Sequence, residues 1–261
     1  MKNKVVWITG ASSGIGLELA LQYNKLGANV VISARRKEKL EETKQLCKFP
    51  DNVQVLPLDL AVQDNFNELA AEVINQFGRI DILINNGGIS QRSETHETSL
   101  EIDRKVMEVN YFGNIALTKA VLPYMRKQQF GVIVPISSLA GKFGFFLRSA
   151  YCASKHALHG FYETLRLEEI ENNIQITIIC PALIKTNISL EALDSNGKPT
   201  GLMDKNQETG MPADKCAEII IKGVQKKKLE VLVGNGEENA VRVHNWFPNL
   251  FFKIIQKKKP N

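Results

Sequence analysis

Tyr151 and Lys155 are the pair in this chain best suited to proton transfer. Four positions apart on a helix, their side chains share one face. An ammonium close to a phenol favours the phenolate and draws its pKa from about 10 toward working pH. A tyrosine tuned in this way gives a proton to a carbonyl oxygen or takes one from an alcohol. No other tyrosine has a lysine four residues on, since Tyr23, Tyr111, Tyr124 and Tyr162 are followed there by Gly27, Ile115, Gln128 and Arg166. The surrounding stretch, Ser137 to Lys155, reads SSLAGKFGFFLRSAYCASK and adds two serines and an aromatic loop of Phe143, Phe145, Phe146 and Leu147. That loop reads equally well as an apolar pocket lining and as core. A tyrosine and a lysine at this spacing are usually two surface residues, so the meaning of the pair depends on what holds it.

Short apolar, β-branched runs at 4–9, 29–33, 53–58, 80–84, 132–136, 174–180 and 230–233 read as strands. Helical patterns fall between them, including 37–48, 64–77, 99–125, a helix carrying Tyr151 to about 170, and 212–226. Strands alternating with helices predict a doubly wound, seven-stranded parallel sheet of the Rossmann type, an α/β single domain with helices on both faces. Ligands bind such sheets beyond the carboxyl ends of the strands. Gly10, Arg35, Asp59, Asn86, Ser138 and Pro181 each fall at such an end. Residues 186–210, with Asn196-Gly197 and Pro199, read as a long mobile loop of the kind that forms a lid. The tail, 245–261, carries an apolar stripe at Phe247, Leu250, Phe251, Ile254 and Ile255 flanked by lysines. Packing against the domain or a partner subunit is its default role, with site closure and contact with a membrane surface as the alternatives.

Gly10, Gly14 and Gly16 mark the first strand-to-helix turn, where glycine lets backbone N–H groups approach a pyrophosphate. The spacing G-x-x-x-G-x-G differs from the commoner G-x-G-x-x-G, so the strand-to-helix context carries the reading. The second strand ends Ser33-Ala34-Arg35-Arg36, with no carboxylate for a ribose 2′-hydroxyl. A guanidinium suits the 2′-phosphate, so NADP is expected rather than NAD, with Arg35 ahead of Arg36.

Composition narrows the remaining classes. In 261 residues, 44% hydrophobic and 23% charged side chains suit a globular domain with a substantial core. A net charge of +5 is mild, and its lysine runs at 226–228 and 257–259 sit near helix ends, so no nucleic-acid partner is expected. Cys47, Cys152, Cys180 and Cys216 are widely spaced, and His96, His156, His159 and His244 show no ligand pattern. Reduced thiols, no metal and a cytoplasmic compartment follow. His156 and His159 share a helix face, where packing or surface roles are expected. The first strand begins within a few residues of Met1, leaving no room for a signal peptide.

TGASSGIG, NNGG, Asn110, SSLAG and YCASK occur together and in order, and the chain thereby resembles the short-chain dehydrogenase/reductase family over nearly its whole length. SSLAGK, AYCASKHAL and PALIKTNISL are similar to the dehydrogenase/reductase member 7 subgroup and, more loosely, to the 11-beta-hydroxysteroid dehydrogenases. Those relatives typically carry an N-terminal membrane anchor, which is not expected here. The resemblance implies Tyr151 as acid/base, Lys155 lowering its pKa and holding the nicotinamide ribose, Ser138 positioning the substrate oxygen, and Asn110 holding a water in a proton relay. It implies a cofactor site of Gly10, Ser12, Ser13, Gly14, Ile15, Gly16, Arg35, Arg36, Asp59, Leu60, Asn86, Gly87, Gly88, Tyr151, Lys155, Pro181, Ile184 and Thr186. The substrate is expected to be a small apolar carbonyl compound or secondary alcohol, and the assembly a homodimer or homotetramer. A silent dinucleotide-sensing module is the non-enzymatic alternative, opposed by the intact set of four. An enoyl reductase is another, opposed by its usually wider tyrosine–lysine spacing. Gly87 stands for the usual alanine, Ala182 for the usual glycine after Pro181, and Pro135 sits awkwardly in a strand, where a bulge is expected.

Overall fold

The computed structural model describes residues 1–258. The strands are Val5–Thr9 (β1), Asn29–Ser33 (β2), Val53–Val55 (β3), Ile82–Asn85 (β4), Gly131–Pro135 (β5), Ile174–Ile176 (β6), Ile178–Pro181 (β7), Ile184–Lys185 (β8), Met211–Pro212 (β9) and Glu230–Val233 (β10). The helices are Gly14–Lys25 (α1), Lys37–Leu46 (α2), Phe66–Phe77 (α3), Leu100–Met107 (α4), Gly113–Gln128 (α5), Ser149–Glu168 (α6), Lys205–Glu208 (α7), Ala213–Gln225 (α8), Asn239–Trp246 (α9) and Pro248–Ile255 (α10).

Side chains alternate across a strand, so one apolar strand feeds two cores. Val5 and Trp7 of β1 join Leu83, Ile133 and the residues of α3, α5 and α6 on one face. Val6 and Ile8 join Ile32, Ile84, Val134 and the residues of α1 and α8 on the other. Burial on both faces explains why these strands are apolar throughout rather than alternating. The parallel sheet runs β3-β2-β1-β4-β5-β6.

The expected seven strands resolve into six in this ladder, with the seventh position filled by β10 pairing with β7. Pro135 accounts for the division. Val132 and Ile136 turn their N–H groups toward β4, donating to Asp81 O and Asn85 O (both 2.9 Å), so residue 135 faces β7. Proline has no N–H to give there. The bonds resume on either side, from Thr177 N to Ile133 O (3.0 Å) and from Ser137 N to Ile179 O (2.7 Å). Ile133 faces Ile176 and Ile136 faces Ile179, so the register is unchanged. The expected bulge is instead a gap in a strand of constant register.

Residues 186–210, read as a mobile loop, are tied down at several points. The two-residue pairing of β8 with β9 closes their base. Leu193 donates to Ser90 O (2.9 Å) and its carbonyl accepts from Arg92 N (2.7 Å), joining the segment to the chain beyond β4. The tail expected at 245–261 begins as α9, ends at Phe247 and restarts at Pro248, a residue suited to the first turn of a helix but not to its interior. Residues 259–261 of that stretch lie outside the described residues. Phe251 packs on Phe143 with ring centroids 4.6 Å apart, so the tail covers the domain, while Trp246, Phe247, Leu250, Phe252 and Ile254 remain exposed. Among the described residues, no helix is long and apolar enough to cross a membrane.

Candidate active site

The carboxyl ends of β1 and β4 form the floor. Gly10 (φ +65°) and Gly14 (φ +56°) take left-handed backbone. A Cβ on Gly10 would lie 2.8 Å from Asn86 Nδ2. Asn86 Nδ2 donates to Thr9 O (2.9 Å), and Thr9 Oγ1 accepts from the N–H groups of Asn86 (3.0 Å) and Gly87 (2.9 Å). Asn86 thus stitches the two strand ends together. A Cβ on Gly16 would lie 2.3 Å from Gly10 O, so that glycine is required by packing. Leu60 explains Gly87: its Cδ1 lies 2.6 Å from where an alanine's Cβ would sit.

Ser13 occupies the N-cap of α1 without a side-chain bond, so among the described residues no side-chain cap takes up the N–H groups of the first turn beside Ser12, Ser13 and Ile15. That arrangement fits a phosphate. Arg35, one position beyond Ala34, is exposed and has no charged partner among the described residues. Arg36 lies 3.9 Å from Glu191 across the surface. Asp59 accepts from Ala61 N (3.0 Å) in the turn after β3. The chain therefore presents an open glycine turn, an uncapped helix and a free guanidinium along adjacent strand ends, which suits a dinucleotide.

Ile15, Asn86, Gly88, Ser138, Tyr151, Lys155, Pro181, Ile184 and Thr186 line one pocket of about 90 Å³. Arg35, Arg36 and Asp59 stand at the neighbouring strand ends, outside that lining. Asn110 lies behind it, fully buried in a π-helical turn, Glu108–Phe112, between α4 and α5. Its Oδ1 accepts from Ile89 N (2.8 Å) and its Nδ2 donates to Ile89 O (2.9 Å) and Ser154 Oγ (3.0 Å). The asparagine thus works inside the protein instead of facing water. A Cβ on Gly88 would lie 3.0 Å from Asn110 Oδ1 and 3.7 Å from Lys155 Nζ, so both groups converge on that glycine.

Ser138 accepts from Ala140 N (3.1 Å) and donates to Pro181 O (3.4 Å), which holds its hydroxyl at the mouth of the pocket. Lys155 Nζ donates to Ile136 O (2.8 Å) and stands 5.6 Å from the centroid of the Tyr151 ring. Burial holds the Tyr151 phenol above its ordinary value, while a hydrogen bond with Ser138 and the charge of Arg148 draw it down. The lowering expected from Lys155 is not what acts on the phenol, and burial lowers the lysine itself to about 8. Burial thereby moves the two apart and favours the neutral form of each, the phenol of Tyr151 and the amine of Lys155.

Thr186 Oγ1 accepts from Gln207 Nε2 (3.2 Å), and its methyl lies 3.0 Å from where a Cβ on Gly14 would sit. Gln207 and Ile188 enter the pocket from residues 186–210, whose aperiodic sequence carried no signal of it. The aromatic loop divides between its two readings. Phe143 is buried core and also lines, with the more exposed Phe145 and Phe146, a cleft of about 1030 Å³ shared with Leu147, Phe252 and Ile255.

One cluster had no counterpart in the sequence. Buried His159 meets Ser137, Cys180, Lys142 and Glu230 behind Lys155. His159, Cys180 and Glu230 place ligand atoms within 4.8 Å of one another, but the Lys142 ammonium pairs with Glu230 and already supplies the cation. Only the i, i+4 spacing of Lys155 and His159 is visible in the chain; the other partners come from a loop and two strands.

A doubly wound fold with a serine, a tyrosine and a lysine gathered at its strand ends defines a class of dinucleotide-dependent oxidoreductases. Residues 4–196 match the family model for short chain dehydrogenases, and the chain belongs to that family. It is 41% identical over 264 residues to dehydrogenase/reductase SDR family member 7B of Mus musculus, covering 99% of this chain and 82% of that protein. A short-chain dehydrogenase from Streptomyces avermitilis superposes with a TM-score of 0.84 at 30% identity, covering 97% of each chain. A short chain dehydrogenase/reductase from Burkholderia phymatum, solved in complex with NAD, superposes at 0.85 with 23% identity over 95% of each chain. The protein is accordingly an oxidoreductase acting on CH–OH or C=O groups of small molecules with NAD(P).

Proposed function

We propose that the chain transfers a hydride between NADP and an apolar carbonyl compound or secondary alcohol. The observation that carries this reading is the convergence of Ser138, Tyr151 and Lys155 on one pocket at the strand ends. The nicotinamide cofactor, when bound, supplies the hydride. Ser138 orients the substrate oxygen and Tyr151 gives or takes its proton. Lys155 holds the ribose and favours the phenolate, and Asn110, converging with it on Gly88, holds the water of a proton relay from Lys155. Arg35, exposed and without a charged partner among the described residues just beyond β2, supports the 2′-phosphate and hence NADP. The apolar cleft beside Phe145 and Phe146 supports an apolar substrate.

Four free, buried cysteines support a reducing, cytoplasmic compartment. The exposed Phe112 at the head of α5 and Leu167 on α6 support assembly of a homodimer or homotetramer through these long helices, which light scattering measures.

The test is a panel of ketones, alcohols and enoyl thioesters followed by NADPH absorbance. Tyr151→Phe is expected to lose about 10²- to 10⁴-fold in turnover while still binding NADPH. Turnover near wild type in that variant defeats the assignment, and a large advantage for NADH defeats the choice of cofactor.

A further inference from the structure

We infer that His159 is a positioning residue, a neutral imidazole protonated on Nε2 that locks the loop carrying Ser138 to the helix carrying Tyr151 and Lys155. The inference rests on the function proposed above and deepens it. Its basis is a hydrogen-bond chain whose two ends allow only one direction. Lys142 Nζ lies 3.4 Å from His159 Nδ1, His159 Nε2 lies 3.1 Å from Ser137 Oγ, and Ser137 Oγ donates to Lys155 O at 3.1 Å.

An ammonium has only protons to give, and a carbonyl oxygen can only accept. Lys142 therefore donates to Nδ1, which must carry a lone pair, so the ring proton sits on Nε2 and goes to Ser137. Ser137, having accepted from the ring, gives its own proton to the Lys155 carbonyl. Cys180 Sγ also lies 3.7 Å from Nε2, but it gives its own proton to Glu230 (3.6 Å) and so makes no claim on a lone pair there. The competing carboxylate, Glu163, faces the same nitrogen from 3.6 Å, farther than Lys142, and is mostly exposed.

The charged and titratable groups facing the ring are Lys142, Glu163, Glu230 and Cys180. Burial and then Lys142 lower the His159 pKa, against Glu230 and Glu163, which agrees with a neutral ring. The chain also has consequences for shape. Ser137 precedes Ser138, and Lys155 is one helical turn before His159 and one after Tyr151. A Cβ on Gly141 would lie 2.5 Å from Ser137 Oγ and 2.8 Å from Lys155 O, so the loop comes down directly onto the junction. The two sides of the catalytic site therefore meet through this file of bonds as well as through the bond from Lys155 Nζ to Ile136 O.

Nitrogen-15 NMR of histidine-labelled protein at about pH 7.5 reads the tautomer directly. The Nε2–H form is expected for His159, and an Nδ1–H form or an imidazolium overturns the inference. In kinetics, His159→Leu and Ser137→Ala are each expected to lower kcat about tenfold with the NADPH Kd unchanged. His159→Gln, which can donate in the place of Nε2, is expected to recover most of the loss. The double variant is expected to be no slower than the slower single one, since both break one chain. Wild-type kcat in His159→Leu, no rescue by glutamine, or multiplying losses overturns the inference. Should His159→Leu fail to fold, Ser137→Ala, His159→Gln and the nitrogen spectrum still decide it. A wild-type protein that turns over no carbonyl or alcohol defeats the proposed function, while the spectrum still tests the tautomer on its own.

Discussion

Lys155 is a cation almost without water, and its titration should be visible in stability as well as in catalysis. An unfolded lysine keeps its proton to about pH 10.5, whereas buried Lys155 releases it at about 8. Between those values the unfolded chain binds more protons than the folded one, so stability rises with pH. Below about 8 the cost of the buried charge is felt in full. Relative to Lys155→Met, the wild type is expected to gain on the order of 3 kcal/mol between about pH 7.5 and about pH 10, at about 1.36 kcal/mol per pH unit. Urea unfolding of both proteins across that range checks it, and parallel pH profiles would refute it. The same scale holds the cofactor prediction. Arg35→Asp places a carboxylate where a ribose 2′-hydroxyl would lie. It is expected to reverse the ratio of NADPH to NADH turnover, and an unchanged ratio would remove Arg35 from the site.

Elements bring these residues together through polar joints as well as apolar packing. Asn85 at the end of β4 donates to Thr118 Oγ1 of α5 (2.7 Å) and to the Tyr162 hydroxyl of α6 (2.9 Å), and Thr118 and Tyr162 are themselves 2.8 Å apart. All three are buried. Tyr162→Phe is expected to cost about 1 to 3 kcal/mol, because it leaves buried partners unpaired. The midpoint of urea denaturation measures the cost, and a shift near zero would show that the joint is replaceable. At this scale the chain was only partly readable. Strand ends were legible because an apolar run followed by glycine, asparagine or arginine has few other meanings in an alternating pattern. The π-helical turn around Asn110 was not, since 99–125 reads as one continuous helix and the extra residue in the turn leaves no mark on composition. In the tail the apolar stripe runs across Pro248 without a change of period, so the stripe alone does not show the break between α9 and α10. His159 reads as a packing or surface residue because its partners are brought to it by tertiary structure.

The whole molecule can be viewed as two bodies of unequal firmness. Six strands from β3 to β6 share one uninterrupted ladder, and β7 with β10 extends it only beyond the proline gap. One missing N–H thus falls between the part of the sheet that holds the dinucleotide turn and the part that leads to the substrate side, residues 186–210 and the tail. A break in a ladder is a natural boundary for partial opening. In native-state hydrogen exchange, the amides of Ile179 and of Val231 to Val233 are expected to exchange through a smaller opening than those of Val6 to Ile8. Equal protection in the two groups would mean that the gap is bridged energetically by the helices. If the boundary holds, the substrate half can breathe while the cofactor half stays closed, and Pro135 sets where that motion stops.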